Sequence, residues 1–254
     1  MQGGEERLVN SAVRTRRSEA AIRTFDVCVA AVLLALLTPA LILLAAAIAI
    51  DSPGGAIYRC RRIGRDGKPF DMLKFRKMPA DARGPALTVV GDGRFTRVGE
   101  LLARLKLDEL PQLWNVLRGE MSLVGPRPED PEFVALFRDE FAVILTIPPG
   151  VTGLSQLAYA REGEILDPTD RAADYVGRVL PQKLWLDELY AERRRFRTNL
   201  QILFWTASTV VLRRPVSVNR ATGALTLRRR PAVAERDATA NAVSADVAVL
   251  TVDR

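Results

Sequence analysis

Residues 25–50, FDVCVAAVLLALLTPALILLAAAIAI, form a long apolar run that carries no charge after Asp26. At about 1.5 Å per residue, a straight helix of this length reaches roughly 39 Å, more than the roughly 30 Å of a bilayer's hydrocarbon core, so the run predicts a membrane element. Thr38-Pro39 interrupts it near the middle, where proline removes a helical hydrogen bond and bends the axis. Arg14, Arg16, Arg17 and Arg23 precede the run and Arg59, Arg61, Arg62, Arg65 and Lys68 follow it, so the positive-inside rule asks both ends to stay on the cytoplasmic side. Two readings of residues 23–50 follow. One is a plain span with a tolerated proline; the other is a re-entrant helix broken at Thr38 and Pro39 into legs of about 21 and 18 Å, neither able to cross. Asp26 is costly in lipid and is expected at the interface, paired with Arg23. Residues 1–22 are expected to be a flexible basic leader or a surface helix without the marks of a cleaved signal peptide.

Beyond the run the periods change. Ser52-Pro53-Gly54-Gly55 is a turn, and Asp66-Gly67 is a hairpin signal between extended stretches 56–63 and 69–75. Strand alternation puts Lys74 and Arg76 on one face and Leu73 and Phe75 on the other. Residues 80–90 read as a mobile loop. Val98, Leu101, Leu102 and Leu105 recur at helical spacing, as do Leu110, Leu113, Trp114 and Leu117. The second set predicts a helix over 109–118, with Asp108 as N-cap, Pro111 in the first turn and Gly119 as the stop. Phe133, Leu136, Phe137, Phe141, Ile144 and Leu145 predict an amphipathic helix over 130–146, after which IPPGVTGLSQ reads as turn and loop. A long helical pattern covers 180–212; its last 13 residues are too short to span and read either as an interfacial helix or as a buried one. Residues 215–254 show no lasting period and are expected to be a disordered tail, with Arg228 to Arg230 against anionic lipid. The fold class is α+β, mainly helical.

Charge narrows the partners. Against 30 acidic residues stand 37 Lys and Arg, a net of +7 over 254 residues, which favours phosphates, nucleic acid or anionic lipid. The chain has no histidine, which excludes His-based general-base chemistry, Ser-His triads and His-ligated zinc. Cys28 and Cys60 make no disulfide or metal framework and fit a reducing, cytoplasm-facing location.

The candidate chemistry lies in LKLDELPQLWNVLRGEMSLVGPRP, residues 105–128. Adjacent carboxylates, Asp108 and Glu109, head a helix, and Arg127 is fixed between two prolines, its planar fork suited to phosphate oxygens. Together with KFRKM (74–78), RFTRVG (94–99) and PGVTGLSQ (149–156), this stretch resembles the bacterial sugar transferases, the monotopic polyprenyl-phosphate phosphoglycosyl transferases. The similarity runs in order from about residue 23 to residue 214.

The resemblance implies a re-entrant membrane helix, a cytosolic transferase domain over 51–214 with a small β-hairpin and interfacial amphipathic helices, and a place on the bacterial inner membrane. It implies transfer of a sugar 1-phosphate from a UDP-sugar to polyprenyl phosphate, releasing UMP, through an ester on Asp108. Mg²⁺ would be held by Asp108 with Glu109. Lys74, Arg76 and Arg127 would stabilise phosphoryl charge, and Gln156 would face ligand. Inner-membrane lipid is an implied partner and nucleic acid is not; a homodimer stays open. The family carries an arginine five residues before this aspartate, where Ala103 stands here, so Arg104 or Lys106 is the candidate replacement. Two other classes remain. A membrane-tethered basic module would bind or recruit without needing Asp108, and a single-pass phosphatase would release free phosphate.

Overall fold

The structure, a computed structural model, describes residues 2–84, 87–88, 91–167, 169–212, 216–219 and 222–227. Helix α1, Gln2–Asp51, is continuous through Pro39, and the Thr38 hydroxyl donates to the Leu34 carbonyl one turn back at 2.6 Å. The two legs expected on either side of Thr38-Pro39 are joined in one continuous helix. The boundary expected at residue 22 is not marked by any change of secondary structure. The stretch Ser18–Asp51 is long and apolar enough to cross a membrane.

Strands β1, Ile57–Ile63, and β2, Pro69–Phe75, form the expected antiparallel hairpin, with Ile57 opposite Phe75 and Ile63 opposite Pro69. Asp66 and Gly67 both take positive φ, 57° and 72°, as a mirror-type turn requires. Helix α2, Arg97–Leu105, is capped by Thr96, whose hydroxyl accepts from the Gly99 N–H. Helix α3 is shorter than expected, Gln112–Arg118, and ends at Gly119 in the left-handed region. Strand β3, Ser122–Val124, follows.

The single helix expected over 130–146 is instead two, α4 Pro131–Leu136 and α5 Arg138–Ile144, separated at Phe137. Leu136 is exposed as a result, while Phe141 and Ile144 stay in the core. The segment expected to be only a loop contains strand β4, Gly150–Thr152, parallel to β3, and helix α6, Leu154–Ala158. Gly125 and Gly150 permit that pairing, because a Cβ on either would run into the backbone of the other's segment. Short α7, Arg171–Asp174, passes through a π-helical segment into α8, Leu180–Arg193. Helix α9, Phe196–Val211, is separate, so the long pattern over 180–212 is broken at Arg194 and Arg195. The tail begins with an antiparallel hairpin, β5 Val216–Val218 and β6 Leu225–Leu227, which corrects disorder over that part; residues 228–254, Arg228 to Arg230 included, lie outside the described residues.

One core joins these elements. Ala30 of α1, Phe70 and Met72 of β2, Leu113 and Val116 of α3, Leu123 and Val124 of β3, Leu186 and Tyr190 of α8 and Ile202 of α9 pack together. Burying each large apolar side chain contributes about 1.5–3 kcal/mol. A second cluster joins α5 to α8, and a third sets Ile48 near the end of α1 against Phe75 and Leu102. Helix α1 thus packs on the domain near both ends of its apolar stretch, through Ile22, Asp26 and Ala30 at one and Ile48 at the other. Asp26 does not sit at an interface paired with Arg23. It is buried and accepts from the Ser122 hydroxyl at 2.6 Å and the Leu123 N–H at 3.3 Å. Arg23 donates to Val116 and Leu117 carbonyls, satisfying the C-terminal end of α3.

Candidate active site

After α2 the chain reverses through Lys106, at φ 59° in the left-handed region, into a single 3₁₀ turn over Leu107–Glu109. Asp108 lies within this turn and the N-cap position of α3 falls at Pro111, contrary to the expected N-cap. It points inward, 2% exposed, and its Oδ2 lies 2.9 Å from Lys77 Nζ. Glu109 faces Lys74 Nζ at 3.4 Å and Arg127 Nη1 at 4.0 Å, both measured to Oε1. Lys74 from β2, Lys77 just beyond it, two carboxylates from the turn and one arginine from the Pro-Arg-Pro segment thus converge.

Each cation is placed by an identifiable device. Asn115, fully buried on α3, donates to the Asp71 carbonyl at 2.8 Å and accepts from the Leu73 N–H at 2.9 Å, which fixes β2 and so Lys74. Breaking that latch would leave buried polar groups unpaired, at about 1–3 kcal/mol each. Lys77 is held by the start of α2. The Thr96 N–H donates to the Lys77 carbonyl at 3.0 Å, Gly99 packs so closely on the Lys77 backbone that no Cβ fits, and the Phe95 ring lies 5.5 Å from Nζ. Arg127 is held by its two prolines and by its N–H, 3.4 Å from Asp187 Oδ2.

The electrostatics follow. Burial works against ionisation of Glu109, yet Lys74, Arg127, Lys106 and Lys77 outweigh it and hold the carboxyl down to about 2. Burial pushes Lys74 below its usual range against the pull of Glu109 and Asp108. For Arg127, burial is overcome by Glu109, Glu129 and Glu162, which raise it further.

Three expected residues lie elsewhere. Strand β2 ends at Phe75, so Arg76 leaves the alternation that would have set it beside Lys74. It is buried and donates to the Ser52 and Pro53 carbonyls at 2.6 and 2.7 Å, closing the turn after α1. Arg104 is exposed on the last turn of α2, and it is Lys106 whose charge acts on Glu109. Gln156 engages its own segment, accepting from the Ser155 hydroxyl at 3.0 Å and donating toward the Gly150 carbonyl at 3.4 Å. Trp114, expected on the buried face of α3, is half exposed beside α1. Lys77 was missed by alternation, although it stands in the KFRKM motif. The loop expected over the site, 80–90, falls partly outside the described residues.

Among the described residues no group of three or more acidic, His or Cys side chains could hold a metal ion. The oxygens that would be available to a cation are those of Asp108 and Glu109. That fits Mg²⁺, which keeps much of its water and takes one or two carboxylates beside substrate phosphates.

A cationic site around paired carboxylates lies on a helix-rich domain that packs along a long apolar helix, an arrangement that fits membrane association and a phosphate ligand. The chain belongs to the bacterial sugar transferase family, whose profile matches residues 17–213. It is 46% identical over 146 residues to the UDP-glucose:undecaprenyl-phosphate glucose-1-phosphate transferase of Caulobacter vibrioides, covering 56% of this chain and 55% of that protein. Identity is 33% over 172 residues to the UDP-N-acetylgalactosamine-undecaprenyl-phosphate N-acetylgalactosaminephosphotransferase of Aeromonas hydrophila, covering 66% of this chain and 41% of that one. It is 34% over 208 residues to the UDP-galactose-lipid carrier transferase of Erwinia amylovora, covering 75% and 40%. The chain thus spans about half the length of the first of these relatives and about two fifths of the others.

Proposed function

We propose that this chain transfers a sugar 1-phosphate from a UDP-sugar to polyprenyl phosphate at the cytoplasmic face of a bacterial inner membrane, initiating a surface polysaccharide or glycoconjugate. The observation that carries the reading is the buried Asp108 beside Glu109, faced by Lys77, Lys74 and Arg127. The names of the relatives, which share a lipid phosphate acceptor, support it.

In the first step an Asp108 carboxylate oxygen bonds to the sugar-bearing phosphorus while the bond from that phosphorus to the bridging oxygen breaks, and UMP leaves. In the second, an oxygen of the lipid phosphate attacks the same phosphorus and the carboxylate departs, giving polyprenyl diphosphosugar. An acyl phosphate is energetic enough for so weak a nucleophile. Esterification removes the negative charge that Lys77 pairs with, which frees the ammonium for the phosphoryl oxygens. Lys74 and Arg127 stabilise charge on the neighbouring oxygens. Mg²⁺, held by Asp108 and Glu109, would supply further neutralisation of the phosphates.

Placement at the membrane supports the acceptor. An open apolar groove of about 320 Å³ is lined by Leu34, Leu41 and Ala45 of α1, by Leu73 and Phe75 of β2, and by Pro111 and Trp114. Leu73 adjoins Lys74, and Pro111 lies three residues past Asp108, so an isoprenoid chain along α1 would bring its phosphate to the carboxylates. The outward face of α1 exposes Val32, Leu36, Ile42 and Leu43, a surface suited to lipid. Both ends of the apolar stretch pack on one domain about 39 Å apart along the helix, which favours an anchor that enters and leaves on one face over a span. The exposed Leu200, Phe204 and Val210 fit α9 to the same interface.

The test is a panel of UDP-sugars incubated with the chain in membranes, Mg²⁺ and undecaprenyl phosphate. UMP release with a labelled lipid, both lost in Asp108→Asn, is the expected result. Free phosphate instead would indicate a phosphatase, and neither product would indicate a binding module.

A further inference from the structure

Glu129, two residues past Arg127, belongs to a polar cluster that the reaction above does not use. Lys183, on the first turns of α8, is 1% exposed. Its Nζ donates to Tyr175 Oη at 2.8 Å, Glu162 Oε2 at 3.0 Å and Glu129 Oε1 at 3.3 Å, and lies 4.7 Å from the Tyr175 ring centroid. The Tyr175 hydroxyl in turn donates to Glu129 Oε1 at 2.7 Å. An ammonium this deep persists only where partners replace its water, and here they use all three of its donors. One turn on, Asp187 accepts from the Arg127 N–H, and its other oxygen is buried without a hydrogen-bond partner among the described residues.

The charge balance around Arg127 gives the cluster a purpose. Three carboxylates act on this guanidinium: Glu109, 4.0 Å from it, and Glu129 and Glu162, which Lys183 bonds. Glu129 follows Arg127 with only Pro128 between them. Arg62, another cation near Glu129, is already paired with Asp130 at 2.6 Å. Among the described residues, Lys183 is thus the cation that bonds both Glu129 and Glu162. Without it, Arg127 would be drawn to Glu129 and Glu162, away from the site.

We propose that Lys183 is a positioning residue for Arg127: by holding Glu129 and Glu162 on itself, it leaves the guanidinium turned toward Glu109 and the diphosphate of the nucleotide sugar. This rests on the reading of Arg127 as a phosphate-binding group. The proposal differs from a simple packing role, because neutralising a released carboxylate must repair the loss of Lys183.

The probe is UDP, which carries the diphosphate whatever the sugar, titrated calorimetrically with Mg²⁺ into the full chain in lipid nanodiscs. Lys183→Met should raise the Kd for UDP about tenfold, and Lys183→Met/Glu162→Gln should return it to within about threefold of the parent. Adding Lys183→Met to Arg127→Met should weaken binding no further. A folded Lys183→Met with parental affinity, or a double variant as weak as Lys183→Met alone, would overturn the proposal. Should thermal melting show Lys183→Met unfolded, Glu162→Gln alone decides. It is expected to bind UDP at least as tightly as the parent, and weaker binding rejects the positioning role. Parental affinity in Arg127→Met would instead remove the phosphate-binding reading of Arg127, and this proposal with it.

Discussion

Asp108 and Glu109 are neighbours in the chain with different surroundings. Asp108 is buried against one lysine, while Glu109 is ringed by Lys74, Arg127 and Lys106 and stays ionised down to about pH 2. Replacing Lys77 by Met removes the cation at the proposed nucleophile, Asp108. The expected result is a fall of about 10²–10³ in kcat for UMP release with a smaller change in KM, and an unchanged kcat would contradict the role. A second test concerns Asp187, where burial outweighs the nearby Ser155 hydroxyl and the charge of Lys183 and pushes the carboxyl up to about 7. Between its unfolded value near 4 and about 7, the folded chain binds the extra proton. Its contribution is therefore favourable at low pH and is lost as pH rises through that window. Asp187→Asn should gain on the parent in thermal melting from pH 5 to pH 8, by about 1.4 kcal/mol for each pH unit at most, and a constant gap would contradict it. Residue alternation found Lys74 but chose Arg76 over Lys77. The error is physical: alternation holds only while the strand lasts, and β2 stops at Phe75.

Elements were legible in proportion to how far one period persisted. The apolar run, the Asp66-Gly67 hairpin and α2 follow directly from hydropathy, turn chemistry and spacing. Strands β3 and β4 did not, because three residues are too few to show alternation, and their parallel pairing joins segments nearly thirty residues apart in the chain. The breaks at Phe137 and after Arg193 are set by tertiary packing, with no proline or glycine to announce them. The RFTRVG motif gains its meaning only in three dimensions, as the seat of the Lys77 backbone. Gly99→Ala should force α2 off that seat, costing about 1–3 kcal/mol in stability and more than tenfold in kcat. Parental turnover in a folded Gly99→Ala would show that this close approach is not needed.

For the whole molecule, the apolar helix and the candidate site are one arrangement: α1 lines the apolar groove and packs on the domain near both ends of its apolar stretch. Single cysteines introduced at residues 20 and 55, in a chain with Cys28 and Cys60 replaced by serine, should both react with an impermeant maleimide from the cytoplasmic side of sealed inverted vesicles. Reaction of one only from the opposite side would establish a span. The most direct measurement of the central claim is intact mass and peptide mapping of the chain after incubation with its UDP-sugar and Mg²⁺, with lipid acceptor withheld. The account predicts a mass increase of one sugar phosphate, located on Asp108, released on adding undecaprenyl phosphate and absent in Asp108→Asn. Turnover that proceeds with no adduct, or an adduct on another residue, would contradict it.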